Sequence, residues 1–256
     1  MIPISDPQLQ RGRTPYVNIA LIAISGLVVL YELVLGSTDR ELFFFKFGLI
    51  SRELTEGISF LELRTFGGIL DIESPIPTWA TIFTSMFIHG DILHFGFNMV
   101  FLWVFGDNVE DRLGHVQYLL FYLAAGVAAA MAQVAINLDA EVPMIGASGA
   151  IAGVLGAYLL LYPFSQVRTL IIFFLITYVR IPAAYLLGFW LLLQFFGGIG
   201  DLGTSAQSGG TAYWAHIGGF VAGLAVIGAL KLLVWREQLW PRPPRRPDFF
   251  PRDDRF

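Results

Sequence analysis

Gly146–Tyr162 reads GASGAIAGVLGAYLLLY, and Ala212–Trp235 reads AYWAHIGGFVAGLAVIGALKLLVW. Both are apolar and rich in small residues, yet the first opens on a hydroxyl, Ser148, and the second carries an imidazole, His216. Polar groups are costly in hydrocarbon, so their presence there is by default a sign of function. Gly149, Gly153 and Ala157 recur every four residues, and Gly219 and Gly223 lie three and seven residues after His216. On helices these become flat stripes that let two backbones approach closely. Pressed together, the stripes bring His216 near Ser148.

The composition supports a membrane setting. Of 256 residues, 55% are hydrophobic and only 14% charged, against roughly a quarter charged in soluble domains. An all-α membrane protein is the expected class. The absence of Cys excludes disulfides and thiolate metal sites. A net charge of −4 gives no reason to expect a nucleic-acid partner. The expected surroundings are the lipid bilayer itself.

A span needs about 20 mostly apolar residues. Val17–Leu35, Ile92–Gly106, Val116–Ile136, Ser148–Tyr162, 181–199 and Ala212–Trp235 supply six. Arg180 and Pro182 interrupt the fifth run, and the eleven residues 169–179 before them are too few to span, so they read as interfacial or re-entrant. The expected organisation is a cytoplasmic N-terminal tail 1–16, a membrane core 17–235 containing an interfacial segment 36–91, and a disordered cytoplasmic tail 236–256. Within 36–91, Glu41–Ser51 reads as amphipathic. No cleavable signal or internal repeat is apparent.

Lys and Arg cluster in the N-terminal tail, the 2–3 and 4–5 loops and the C-terminal end, while 138–147 and 197–211 have none. The positive-inside rule therefore puts both termini in the cytoplasm. His94, Ser148 and His216 then lie near the outer starts of spans two, four and six. The fourth span reaches only about 22 Å, against about 30 Å of hydrocarbon. It should begin below the outer surface, with loop 138–147 dipping in to meet it.

Taken alone, Ser148 is an ordinary packing residue. At a helix N-terminus beside a base it becomes a nucleophile, because unpaired N–H groups there can receive an oxyanion. His216 would take the Ser148 proton and return it to a leaving amine. No Asp or Glu lies inside spans two to six, so a Ser–His dyad is expected, its ring oriented by packing or water. His94 and Asn98, spaced i and i+4, share a helix face and can donate to the oxyanion; the plainer reading is an interhelical hydrogen bond. His89 and His115 read as solvated interfacial residues, and Glu110 and Arg112 as anchors of an inner loop.

Gly198-Ile199-Gly200-Asp201-Leu202-Gly203 matches a dinucleotide fingerprint and a Gly-x-Gly-Asp aspartyl motif by letter only. The first needs a strand and a helix around it, and the second needs a partner Asp within a span. The run reads instead as a flexible loop. No metal site or cofactor is expected.

The constellation resembles the rhomboid intramembrane serine proteases. The residues that carry the resemblance are Trp79, Phe87-Ile88-His89-Gly90-Asp91, His94-x-x-x-Asn98, Gly106-Asp107-Asn108-Val109-Glu110-x-Arg112-x-Gly114, Gly146-Ala147-Ser148-Gly149 and Ala215-His216-x-x-Gly219-x-x-x-Gly223. The resemblance implies a six-transmembrane-helix bundle with Ser148 as nucleophile and His216 as general base and acid. It implies an oxyanion hole of Asn98, His94 and the Ser148 N–H. It also implies transmembrane protein substrates, cut near the outer face after passing the fifth span beneath a cap at about 197–211. A prokaryotic cell membrane is the expected location.

One position departs from the family. Four residues after the nucleophile, where the family has an aromatic that packs on the imidazole, stands Ala152. Tyr158 and Phe220 are the candidate substitutes. A weakly catalytic relative that binds membrane-protein clients is the alternative that Ala152 raises.

Overall fold

The computed structural model describes residues 1–6, 12–65, 68–172, 176–202 and 210–236. It is mostly helical, and among the described residues five helices are long and apolar enough to cross a membrane. They are α1 (Tyr16–Val34), α4 (Ile92–Leu113), α5 (His115–Ile136), α7 (Ala183–Asp201) and α8 (Tyr213–Val234). A shorter apolar helix, α6 (Ser148–Leu161), packs among them. Two further helices, α2 (Ser37–Phe47) and α3 (Ser51–Glu56), lie between α1 and α4.

Helix α6 is the centre of the bundle. Ala150, Ala152, Val154, Leu155, Ala157 and Tyr158 are all buried, so this short helix is wrapped by protein. Its Gly149 and Gly153 face α8. A Cβ at Gly219 would land on the Gly149 carbonyl, and one at Gly223 on the Gly153 carbonyl. On another side Gly149 and Gly153 approach Ala129 and Ala125 of α5. Only small residues allow three backbones this close.

Helix α4 is continuous to Leu113 and so longer than the run ending at Gly106. It contains a π-helical turn over Leu102–Gly106. Such a turn disturbs the regular carbonyl ladder, and Asn18 of α1 donates its amide to Leu102 O at 3.0 Å. Gly114, at φ 87°, then reverses the chain into α5, a conformation natural only to glycine.

The all-α expectation needs correction. The described residues of 169–179, read above as interfacial or re-entrant, are strands: they belong to β4 (Gln166–Ile172) and β5 (Ile176–Pro182), an antiparallel hairpin in which Arg168 pairs with Arg180. Val167, Thr169, Ile171, Ile172, Ile176, Thr177 and Val179 are β-branched, a composition suited to strands. The first residues form β1 (Ile2–Ser5), which pairs with β4. The stretch assigned to an N-terminal tail thus begins with an ordered strand. Its following residue, Asp6, is buried and accepts hydrogen bonds from Asn108 Nδ2 and Tyr158 Oη at 2.7 and 2.8 Å. A second hairpin, β2 (Glu62–Thr65) with β3 (Gly68–Asp71), lies in the segment between α1 and α4.

Loop 137–147 is tied down rather than free. Leu49 and Met144 exchange backbone hydrogen bonds at 3.0 and 2.7 Å, and Arg52 N donates to Ala140 O. Gly146, at φ 124°, donates to Ser85 O and turns the chain into Ser148. The Gly198–Asp201 run, read as a loop, is the last turn of α7. Most of the expected cap (203–209) and the C-terminal tail from 237 onward lie outside the described residues.

Candidate active site

Ser148 is the first residue of α6. The opening N–H groups of a helix have no partner one turn back, so backbone donors and the hydroxyl converge there. His216 sits one turn into α8, whose Ala215 N–H is capped by Gln133 Oε1 of α5 at 3.1 Å. The glycine stripes hold the two helices together, and Ser148 Oγ lies 2.7 Å from His216 Nε2. Both lie against a cavity of about 770 Å³, within the usual range for ligand pockets.

Helix α4 enters the site N-terminal end first. Asp91 caps it, its carboxylate accepting from His94 N and Leu93 N at 2.8 Å each. Those backbone donors, His94 foremost, hold the Asp91 carboxyl below its usual range. His94 lies beside Gly146, where a Cβ would meet its ring at 2.8 Å. Asn98 donates Nδ2 to His94 O at 3.1 Å, and this amide nitrogen retains a second hydrogen. His94, Asn98, Ser148 and His216 line the same cavity, with Phe97, Phe101, Ile151 and Leu155 forming apolar wall.

Two site residues escaped sequence reasoning. Gln194 of α7 places its Oε1 2.7 Å from His216 Nδ1. Trp190, one turn earlier, packs on the His216 ring with centroids 5.7 Å apart and planes 38° apart. The imidazole is therefore oriented by an amide and an indole rather than by packing or water alone. Trp190 thus stands on the ring as an aromatic where Ala152 provides none. Phe220 stacks on Trp190 at 6.1 Å, whereas Tyr158 packs on Phe105 and Tyr162, away from His216. A polar amide inside an apolar span was the available signal for Gln194, the same one that singled out His216.

The remaining histidines divide. His89 is buried, not solvated: its N–H donates to Glu32 Oε1 at 3.1 Å, and its ring meets those of His94 and Phe95. His115 is partly exposed and pairs with Glu110. Glu110 also accepts from Val17 N and Asn18 N, joining α1 to α4. Arg112 stacks over Trp235, 4.2 Å from its ring centroid. Among the described residues no group of three or more His, Asp or Glu could hold a metal ion.

Comparison with known proteins places this arrangement. A model of the Rhomboid domain matches residues 77–232. The chain is 33% identical over 154 residues to the Bacillus subtilis protein named Rhomboid protease GluP, covering 60% of this chain and 26% of that one. It is 28% identical over 148 residues to Rhomboid protein 1, mitochondrial, of Saccharomyces cerevisiae, covering 56% and 40%. It is 27% identical over 162 residues to Rhomboid-type serine protease 2 of Emericella nidulans, covering 62% and 28%. The matches thus cover well under half the length of each of these relatives.

Proposed function

The chain belongs to the rhomboid family, and from that premise we propose that it is an intramembrane serine endopeptidase acting through Ser148 and His216. The observation that carries the reading is the 2.7 Å contact between Ser148 Oγ and His216 Nε2 at the start of a glycine-lined helix. His216 Nε2 accepts the Ser148 proton as Oγ attacks the scissile carbonyl. The oxyanion that forms is met by Asn98 Nδ2, the His94 ring and the Ser148 N–H. Such donors, fixed before reaction, are commonly worth a few kcal/mol each. His216 then protonates the leaving amine, and an acyl group remains on Ser148. Water, deprotonated by the same ring, releases it. No metal or cofactor takes part in this scheme.

The substrates are transmembrane proteins whose helices unwind enough to lie extended across the cavity. The enzyme is a multi-pass protein in which α6 is the fourth of six spans, with both termini in the cytoplasm and a prokaryotic cell membrane as its setting. Relatives with mitochondrial names make the compartment a point to measure. The client-binding alternative drew its support from Ala152; Trp190, an aromatic on the His216 ring, supports the protease reading instead. Reconstitution with a transmembrane substrate tests the proposal. Cleavage by the wild type that is abolished in Ser148→Ala supports it, and full cleavage by Ser148→Ala ends it.

A further inference from the structure

Building on the protease reading, we propose that Gln194 is a positioning residue that completes the Ser148–His216 pair by fixing the proton of the imidazole on Nδ1. Among the described residues no carboxylate holds the ring. Among the described residues, the hydrogen-bond partners of the His216 ring are Ser148 and Gln194. An amide could in principle present either end. Here Gln194 Nε2 donates to Trp190 O at 3.3 Å, which leaves Oε1 to face the ring. A carbonyl oxygen can only accept, so Nδ1 must carry the hydrogen and the Nε2 lone pair must point at Ser148 Oγ. The hydrogen-bond network thus admits one tautomer, the one a general base for Ser148 requires.

Burial strengthens the assignment. Gln194 is 9% exposed on a helix whose Tyr185, Phe189, Leu192, Leu193 and Phe196 are exposed. A glutamine turned inward from such a helix needs partners, because an unsatisfied buried amide is costly. It has two, Trp190 O and His216 Nδ1. The orientation of the base is therefore carried by α7, which brings the indole and the amide together from successive turns. Displacing α7 from the bundle releases both. An amide also differs from the usual carboxylate in consequence: it orients the ring without adding charge to stabilise an imidazolium. Among the described residues, the titratable groups that line the cavity with the ring are His94, Asp91 and Asp201.

The test uses the full chain in detergent, labelled with ¹⁵N at its four histidines, with the His216 signals identified by their loss in His216→Ala. Ring nitrogen shifts separate the two tautomers. Gln194→Met keeps the volume and removes the acceptor, whereas Gln194→Glu keeps the acceptor and adds charge. The proposal expects an Nδ1–H ring in wild type and Gln194→Glu, and loss of that preference in Gln194→Met. It expects kcat on a transmembrane substrate to fall at least about 10-fold in Gln194→Met, short of the ~10⁴-fold of a wrong-tautomer triad, with KM unchanged. In Gln194→Glu activity persists and the acid limb of the pH–rate profile moves to higher pH. An Nδ1–H ring and near-normal kcat in Gln194→Met overturn it. Should Gln194→Met not fold, an acid limb unmoved in Gln194→Glu overturns it equally. A Gln194-dependent tautomer in a wild-type protein that cleaves nothing supports this inference while refuting the protease reading.

Discussion

Gly219→Ala should slow the proposed chemistry of Ser148 while leaving the protein folded. The new methyl group would fall on the Gly149 carbonyl oxygen, one residue from Ser148. Restoring a van der Waals separation of about 3.5 Å requires α6 and α8 to part by at least about 1 Å. Overpacking of this kind costs about 1–3 kcal/mol, and replacing a helical glycine recovers up to about 1 kcal/mol. The net loss of stability is therefore about 0–3 kcal/mol. The same shift of about 1 Å stretches the Ser148–His216 contact from 2.7 Å beyond hydrogen-bond reach. Misplacement on that scale costs on the order of 100-fold in rate. The assay is the second-order rate of labelling by a fluorophosphonate, read beside thermal unfolding in the same detergent. Gly188→Ala on α7 is the control, since a Cβ there meets nothing within 4 Å. A Gly219→Ala protein labelled at the wild-type rate would refute the argument that the glycine stripe sets the catalytic distance.

Four further outcomes are expected. Trp190→Ala should slow labelling about 10-fold or more by freeing the His216 ring, while Trp190→Phe, which keeps an aromatic face, should retain most activity; equal loss in both would contradict a stacking role. Asp91→Ala should cost about 1 kcal/mol through the lost helix cap, whereas Asp91→Asn should retain the cap. Because the folded Asp91 carboxyl titrates below its usual value, its charge-dependent stabilisation is present above about pH 4 and lost as pH falls through the folded value; the gap in melting temperature between wild type and Asp91→Asn should close in acid. Burial raises the Glu53 carboxyl, although its Oε1 accepts from Phe60 N. The stabilisation tied to its protonated form is therefore present in acid and lost as pH rises through the folded value, so Glu53→Gln should melt higher than wild type at about pH 8 and no higher at about pH 4. Asp6→Ala should lower the melting temperature measurably by stranding Tyr158 Oη and removing one acceptor of Asn108 Nδ2, at about 1–3 kcal/mol; an unchanged value would mean that the Asp6 contacts contribute nothing.

The sequence exposed those parts of the site that break a membrane rule. Ser148, His94, Asn98 and His216 are polar groups in apolar helices, and the glycine spacing implied which helices touch. Gln194 breaks the same rule, but its partner lies on another helix, and no local pattern links residues 194 and 216. The 166–182 hairpin is hidden for a different reason. Short apolar runs fit a strand or a buried helix segment equally well by periodicity, and only pairing between Arg168 and Arg180, and with β1, decides between them. The N-terminal strand is illegible because its partner lies far along the chain, at β4. His89 reads as a loop residue until its neighbours in α1 and α4 are known, since burial is a property of the assembled bundle.

The proposed activity rests on Ser148 as a nucleophile activated by His216. Its most direct measurement is mass-spectrometric mapping of a fluorophosphonate adduct on the folded protein, for wild type and His216→Ala side by side. The expected result is an adduct on Ser148 in wild type and its loss in His216→Ala. A folded wild type without an adduct on Ser148, or a Ser148 adduct formed equally fast without His216, would contradict it.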